Sequence, residues 1–443
     1  MTTPTLFRFA TAGSVDDGKS TLVGRLLHDA KVVLADQLEQ LGRTSAERGF
    51  EGIDFALLTD GLRAEREQGI TIDVAYRYFS TGNRSFILAD CPGHVQYTRN
   101  MVTGATTADA VVVLIDGRKG VLEQTRRHLA VVSLLRVPHV IVAVNKIDLL
   151  GFDQTVFGAV EREVRQLAAE LGITELHVLP VSALEGDNVV DRSARTPWYG
   201  GPALLELLET LEPADAIARG DEPFRMPVQT VIRPQGGLAP ELAGTPELAE
   251  RYRDYRAVAG RVSSGEVRIG DTVTVFPGNF QTRVTGLSSA GRAVESARAP
   301  ESVAIELADE FDTARGAFIA AAGALPTPSK QLGAELFVLD AALAPGDRLL
   351  VKHGTATVQA VIASIDAKRD LDSLSYEAAE RLSVNEIGHA TLRLASEIPA
   401  EHYVTDRNTG SFLLIRAGDG HTLAAGIIRG EPAASVREGG ESN

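Results

Sequence analysis

One nine-residue stretch, GSVDDGKST at 13–21, constrains this chain more than anything else in it. It follows an apolar run, LFRFATAG (6–13), and opens an amphipathic one, so a strand, a loop and a helix are predicted in that order. Gly13 and Gly18 let the backbone wrap a phosphate chain, and Ser14, Val15, Asp16 and Asp17 between them can turn amide N–H groups inward. The N-terminus of the following helix adds partial positive charge. Lys19 then reaches the outer phosphates, the Ser20 hydroxyl is placed to ligate Mg2+, and Thr21 completes the loop. Chance matches to this pattern occur in Gly-rich chains, but the strand before it and the helix after it make chance a poor account here.

The rest of the first 210 or so residues repeats the alternation. Strands are predicted at YRYF (76–79), FILAD (86–90), AVVVLID (110–116), HVIVAVN (139–145) and HVLPVS (177–182). Helices are predicted at 19–28, 123–136, 154–172 and 201–211, with a helix start at QYTRNM (96–101). Continuous apolar strands between helices indicate an α/β domain whose mainly parallel sheet carries helices on both faces. A break at PADAIARGDEPFRM (213–226) ends this pattern, and short strands with Gly-rich turns follow, the patterning of all-β barrels. GALPTPSKQLG (323–333) marks the joint between two barrels, and Gly-Asp turns at 270–271 and 346–347 suggest that the two are related. The expected organisation is a nucleotide-binding domain over 1–215, barrels over 224–325 and 331–431, and a disordered tail over 432–443. An insertion at 235–256 interrupts the first barrel, where Thr245 and Pro246 predict the start of a short helix on a surface loop.

Three further motifs complete the chemistry. DCPGH (90–94) ends the strand FILAD: Asp90 is placed to hold Mg2+ through water, the Gly93 N–H to sense the terminal phosphate, and His94 to orient the attacking water. NKID (145–148) also ends a strand. Guanine presents N1–H and N2–H2 donors side by side, and the Asp148 carboxylate accepts both, whereas adenine would leave it unpaired. Asn145 can hold the loop, the Lys146 stem can pack on the base, and Ser182-Ala183 can offer the Ala183 N–H to guanine O6. In REQGITIDVAY (66–76), Thr71 is expected to close over Mg2+ and the γ-phosphate and to relax after hydrolysis, giving a two-state switch. Together the four elements imply a P-loop GTPase domain using GTP and Mg2+, with Lys19, Thr71 and His94 as its catalytic residues.

Composition narrows the class. Acidic residues number 59 against 44 basic ones, a formal net charge of −15, which argues against free-standing nucleic-acid binding because that affinity rests on Lys and Arg neutralising phosphates. Cys91 is the only cysteine, so neither an intrachain disulfide nor a thiolate metal cluster can form. His28, His128, His139, His177, His353, His402 and His421 lack metal-site spacing and are expected on the surface or in packing. The longest aliphatic runs, VVVLI and VIVAV, are of strand length, and the N-terminus lacks a signal peptide's apolar stretch; a cytoplasmic protein with no membrane partner is expected.

These motifs resemble the translation-factor class of GTPases, whose nucleotide-binding domain is followed by two β-barrels. Within it, the chain resembles the GTPase subunit (subunit 1) of bacterial sulfate adenylyltransferase. The segments that carry this are GSVDDGKSTLVGRLLHD (13–29), DGLRAEREQGITIDVAYRYF (60–79), HVQYTRNMVTGATTAD (94–109) and EGDNVVDRSARTPWYGGPALLELLE (185–209). ARGAFI (314–319), LLVKHGTATVQA (349–360), LSVNEIGHATL (382–392) and TGSFLLI (409–415) extend it over nearly the whole chain. The resemblance implies a two-chain enzyme in which a separate small ATP-handling subunit transfers AMP to sulfate and GTP hydrolysis on this chain drives the step. Cys91 departs from the expected threonine, and His389 stands where an arginine is commoner. Some members carry a fused kinase domain with its own phosphate loop; no second G-x-x-x-x-G-K occurs in this sequence. The alternative is an elongation factor delivering aminoacyl-tRNA, which DCPGH allows and PWYGG and QYTRNM oppose.

Overall fold

The computed structural model describes residues 5–14, 16–32, 36, 39, 42–45, 53–58, 74–92, 98–214, 222–234, 237–238, 244–370, 373 and 375–429. Val15, Thr71, Gly93, His94, part of the insertion and the 432–443 tail lie outside the described residues. The chain forms two units, one running to Ala214 and including Asp370–Ser375, the other comprising the remainder.

In the first unit, β1 (Leu6–Gly13), β3 (Ser85–Asp90), β4 (Ala110–Asp116), β5 (His139–Asn145) and β6 (Leu176–Pro180) run parallel. β2 (Ala75–Ser80) pairs antiparallel with β3 at one edge, and the strand order is β2-β3-β1-β4-β5-β6. Every residue of β4 and β5 is buried, as continuous apolar runs covered on both faces require, whereas β2 alternates exposed positions with half-buried ones and, at Phe79, a buried one. Helices α1 (Lys19–Asp29), α2 (Thr98–Thr106), α3 (Glu123–Leu134), α4 (Gln154–Glu170) and α5 (Leu204–Thr210) link the strands. α4 shows why they form where they do. Asp153 caps it by accepting the Thr155 and Val156 N–H groups at 2.6 and 3.3 Å, and Val160, Val164 and Leu167 recur as its buried stripe. Under the sheet, Phe86 meets the rings of Phe7, Phe9 and Phe79 at centroid distances of 6.3, 6.1 and 4.8 Å. Such rings each stabilise the fold by about 1.5–3 kcal/mol when fully buried.

In the second unit the described chain is β structure apart from α6 (Pro246–Arg253), the helix predicted in the insertion, with Thr245 at its N-cap position and Pro246 as first helical residue. One barrel closes because Thr272–Phe276 pairs with both Phe280–Ser289 and Phe318–Ala321. The other closes because Arg348–His353 pairs with both Ala356–Arg369 and Ser411–Ile415. The two Gly-Asp turns are the same local device. Gly270 and Gly346 take φ of +95° and +92°, and the carboxylates of Asp271 and Asp347 accept the Arg268 and Ala344 N–H groups, each at 2.8 Å. The barrels nevertheless close in different orders. Arg225–Ile232 pairs with Ala257–Arg261 and Phe318–Ala321, while Pro328–Val338 pairs with Ile387–Pro399 and Thr422–Ile428. The repeated dipeptide therefore reports a shared turn chemistry and not a repeated barrel.

Candidate functional site

Parallel strands deliver their carboxyl ends to one edge of the sheet, and that edge gathers Gly13, Asp90, Asp116, Asn145 and the Ser182-Ala183 turn. The phosphate loop is shaped from within by Asp17, whose carboxylate accepts the Ser14 N–H at 2.8 Å while its own N–H donates to the Ser14 carbonyl at 3.2 Å. Asp17 is 2% exposed, and burial raises its carboxyl pKa against the opposing Ser14 bond. Gly18 has φ +90°, and a Cβ there would lie 2.4 Å from Asn145 Nδ2. Only glycine fits. Asn145 occupies that space: its Nδ2 donates to the Asp17 carbonyl at 2.7 Å and its Oδ1 accepts the Ala183 N–H at 2.9 Å. It is a strut between two loops far apart in sequence. A guanine O6, the partner expected for Ala183, would compete with Asn145 for that N–H.

Lys19 opens α1, whose N-cap Gly18 supplies no side chain, so helix N–H groups face the loop. The Lys19 ammonium is buried and bonded to Asp90 Oδ1 at 2.6 Å, and the same oxygen accepts from Thr11 Oγ1 at 2.8 Å. Asp90 Oδ2 is buried without a hydrogen-bond partner among the described residues. A buried carboxylate oxygen left over, with the Ser20 hydroxyl on the first turn of α1, is a hard-oxygen donor set of the kind Mg2+ takes. The residues present fit that ion.

Lys146 (φ +63°) turns back across the loop, donating to the Asp16 carbonyl and to Asp116 Oδ2, the latter at 3.0 Å. Burial alone would raise the Asp116 carboxyl, but bonds from Arg118 and Lys146 outweigh it and hold the group well below the usual carboxylate range. Asp116 is a site residue that sequence reasoning missed. Its signal was present: an acidic residue ending an apolar strand, in register with Asn145. Asp148 lies in the 3-10 turn Ile147–Leu150, half-buried, and its carboxylate takes no hydrogen bond among the described residues. The PWYGG segment braces the same end of the domain: Trp198 Nε1 donates to the Phe152 carbonyl at 2.9 Å and its ring packs on Phe157.

Cys91 is fully buried, its thiol pushed up to about 12 by burial, with the Asp90 carboxylate adding. His28, His128 and His353 pack as expected, against Asp29, Gln124 and the Thr409 carbonyl. His139 packs as well, stacked on Phe7 at a centroid distance of 6.5 Å, and with His177 and Glu175 it brings ligand atoms within 4.8 Å of one another, a proximity that spacing did not announce. Linear spacing was blind to them because the pairing of β5 with β6 sets their proximity.

Residues 5–214 match the family Elongation factor Tu GTP binding domain, and residues 331–429 match GTP-eEF1A C-terminal domain-like. Fold and site define a translation-factor-type GTPase that binds GTP with Mg2+. Sulfate adenylyltransferase subunit 1 of Sulfurovum sp. is 44% identical over 436 residues, covering 96% of this chain and 87% of that one. The Laribacter hongkongensis protein of the same name is 44% identical over 441 residues, 98% and 88% of the two chains. The bifunctional enzyme CysN/CysC of Mycobacterium tuberculosis is 47% identical over 430 residues, 96% of this chain but 67% of that protein; against Xylella fastidiosa CysN/CysC the share falls to 65%. The chain thus spans about two thirds of the bifunctional relatives and nearly nine tenths of the subunit 1 relatives. It belongs to the sulfate adenylyltransferase subunit 1 family. No described helix is long and apolar enough to cross a membrane.

Proposed function

We propose that this chain is the GTPase subunit of a heteromeric ATP sulfurylase. GTP hydrolysis here drives adenylyl transfer from ATP to sulfate on a separate small subunit, giving adenosine 5'-phosphosulfate and pyrophosphate. The observation that supports it most is the Asn145 strut, which joins a phosphate loop to a guanine-reading turn in a chain of the subunit 1 family. Sulfate is a weak nucleophile and the phosphate–sulfate anhydride a high-energy product, so a second hydrolysis helps only if the partner senses the nucleotide state of this chain. The cytoplasm, which holds both GTP and ATP, is the compartment this reading needs.

The residues divide the work. Backbone N–H groups of Gly13 through Thr21 and the Lys19 ammonium bind and orient the phosphates, with Lys19 leaving Asp90 for them. Ser20, Thr71 and, through water, Asp90 hold Mg2+, which when bound neutralises charge on the outer phosphates. Thr71 closes over the γ-phosphate, the Gly93 N–H senses it, and His94 orients the attacking water. Asp148 accepts guanine N1–H and N2–H2, while Asn145, Lys146, Ser182 and Ala183 shape the base pocket. The test is GTP hydrolysis by the purified chain, alone and with a candidate ATP-handling subunit, with and without ATP and sulfate. Slow turnover alone and a clear rise with all three additions is the expected result. Stimulation by ribosomes and aminoacyl-tRNA instead would overturn the proposal.

A further inference from the structure

At the other end of the sheet, three side chains meet for which the nucleotide chemistry has no use. β5 and β6 pair in parallel with Ile141 opposite His177, and the Val140 N–H donates to the Glu175 carbonyl at 3.0 Å, which holds Glu175 beside the start of β5. His139 and Ile141 are two residues apart on β5, so His139 faces the same side of the sheet as the Ile141–His177 pair, and Glu175 comes immediately before the first residue of β6. Their ligand atoms lie within 4.8 Å of one another. From His139 to Asn145, β5 spans six residue steps, so this cluster lies about 20 Å from the strand end that carries NKID.

The hydrogen bonding of His139 decides which nitrogen is on offer. The residue is 6% exposed and its ring stacks with Phe7 at a centroid distance of 6.5 Å. Nε2 sits 2.8 Å from the Glu212 carbonyl. A carbonyl can only accept, so Nε2 carries the proton and Nδ1 keeps its lone pair. That Nδ1 is buried with no hydrogen-bond partner among the described residues, and so is His177 Nε2. An imidazole anchored by one N–H to a carbonyl, with its other nitrogen bare, is the second-sphere arrangement that metal-binding histidines use. Exposed Glu175 completes the set with a carboxylate oxygen. Arg165, the cation that influences His177, is itself held by Glu161 at 2.7 and 2.9 Å.

We infer that His139, Glu175 and His177 form a binding site for Zn2+ or another divalent transition metal of similar preference, with a fourth position open to water. Two imidazole nitrogens and one carboxylate suit such an ion and not Mg2+, which prefers an all-oxygen set. An ion there links β5 to the edge strand β6 and, through His139 Nε2–H, to Glu212 near the last described residues of this unit.

The test uses the full, tag-free chain loaded with GDP and Mg2+, titrated with Zn2+ against a chromophoric chelator. One equivalent should bind, and Co2+ in its place should give the visible absorption of a four-coordinate N/O site. Glu175→Gln and His177→Gln should each weaken Zn2+ at least about 10-fold while GDP affinity stays unchanged. The thermal midpoint of the wild type should rise with Zn2+, and that of the variants should not. Glu175 is exposed, so its variant reports on the site even if a histidine substitution disturbs folding. Absence of stoichiometric Zn2+ binding, or equal binding by wild type and Glu175→Gln, would overturn the inference and leave a packed histidine pair.

Discussion

Replacing Asn145 with alanine removes both ends of the strut between the phosphate loop and the Ala183 turn. The Asp17 carbonyl loses a donor at 2.7 Å and the Ala183 N–H loses an acceptor at 2.9 Å, at a side chain 2% exposed. Two buried groups left unpaired cost about 1–3 kcal/mol each. Water entering the site recovers part of this, so the nucleotide-free chain is expected to lose about 2–4 kcal/mol of unfolding free energy. Gly18→Ala attacks the same strut from the other side, because its Cβ would lie 2.4 Å from Asn145 Nδ2 at a φ of +90°. The backbone strain is about 1–2 kcal/mol, and the rest of its cost is the same displaced amide. The two substitutions therefore share most of their effect. In a double-mutant cycle read by urea unfolding of the full nucleotide-free chain, adding Gly18→Ala to Asn145→Ala should cost only the backbone part. Losses that add to within about 0.5 kcal/mol would refute the shared strut.

Three further expectations follow from the same geometry. His128 is 3% exposed, and burial, with Lys19 nearby, pulls its pKa from 6.5 down to about 4. The unfolded chain therefore takes the proton first: this group's contribution is intact above pH 6.5 and is lost as pH falls towards 4. Between pH 6.5 and 5.5 the wild type should lose up to about 1.4 kcal/mol more per pH unit than His128→Asn, and parallel thermal-unfolding slopes would count against it. Cys91, its thiol raised to about 12, should react with an aromatic disulfide only as fast as the domain opens, yet fully in denaturant; rapid labelling of the native chain would contradict its burial. Asp148→Asn should weaken GDP by about 100-fold or more and favour xanthine, whose C2 carbonyl can take the new amide donor; unchanged guanine affinity in competition titrations would sink that assignment.

The parts of the fold legible in the sequence are those where one residue pattern has one physical solution. β4 and β5 begin and end where their apolar runs do, because a strand buried on both faces leaves no polar position inside it. β6 stops at Pro180, short of the predicted Ser182, since the Ser182 N–H leaves the sheet to bond the Asp187 carbonyl at 3.1 Å. α2 was legible only as a start: Met101, Val102 and Ala105 are buried but too few to set a helical period. The phosphate loop and NKID were readable as motifs, yet the bond from Ala183 to Asn145 was not, because it depends on where two loops land in space. Asp116 and the His139–His177 pair were hidden for the same reason, being neighbours through strand register alone.

The contact between Lys19 and Asp90 has a consequence for how this site can turn over. A buried ammonium without a partner is costly to keep charged, and a buried carboxylate no less so. With Asp90 Oδ1 2.6 Å from Lys19 Nζ, the chain carries its own counter-ion for the charge that a phosphate would otherwise neutralise. Loading a nucleotide is then an exchange of anions around one cation, and the carboxylate displaced is the one we propose meets the metal. The attraction between lysine and phosphate is measured against an existing ion pair and not against water, which lowers the net grip on the nucleotide. Departure of GDP, in turn, strands neither charge. The same 2.6 Å contact that occupies the loop's lysine is what lets the loop let go.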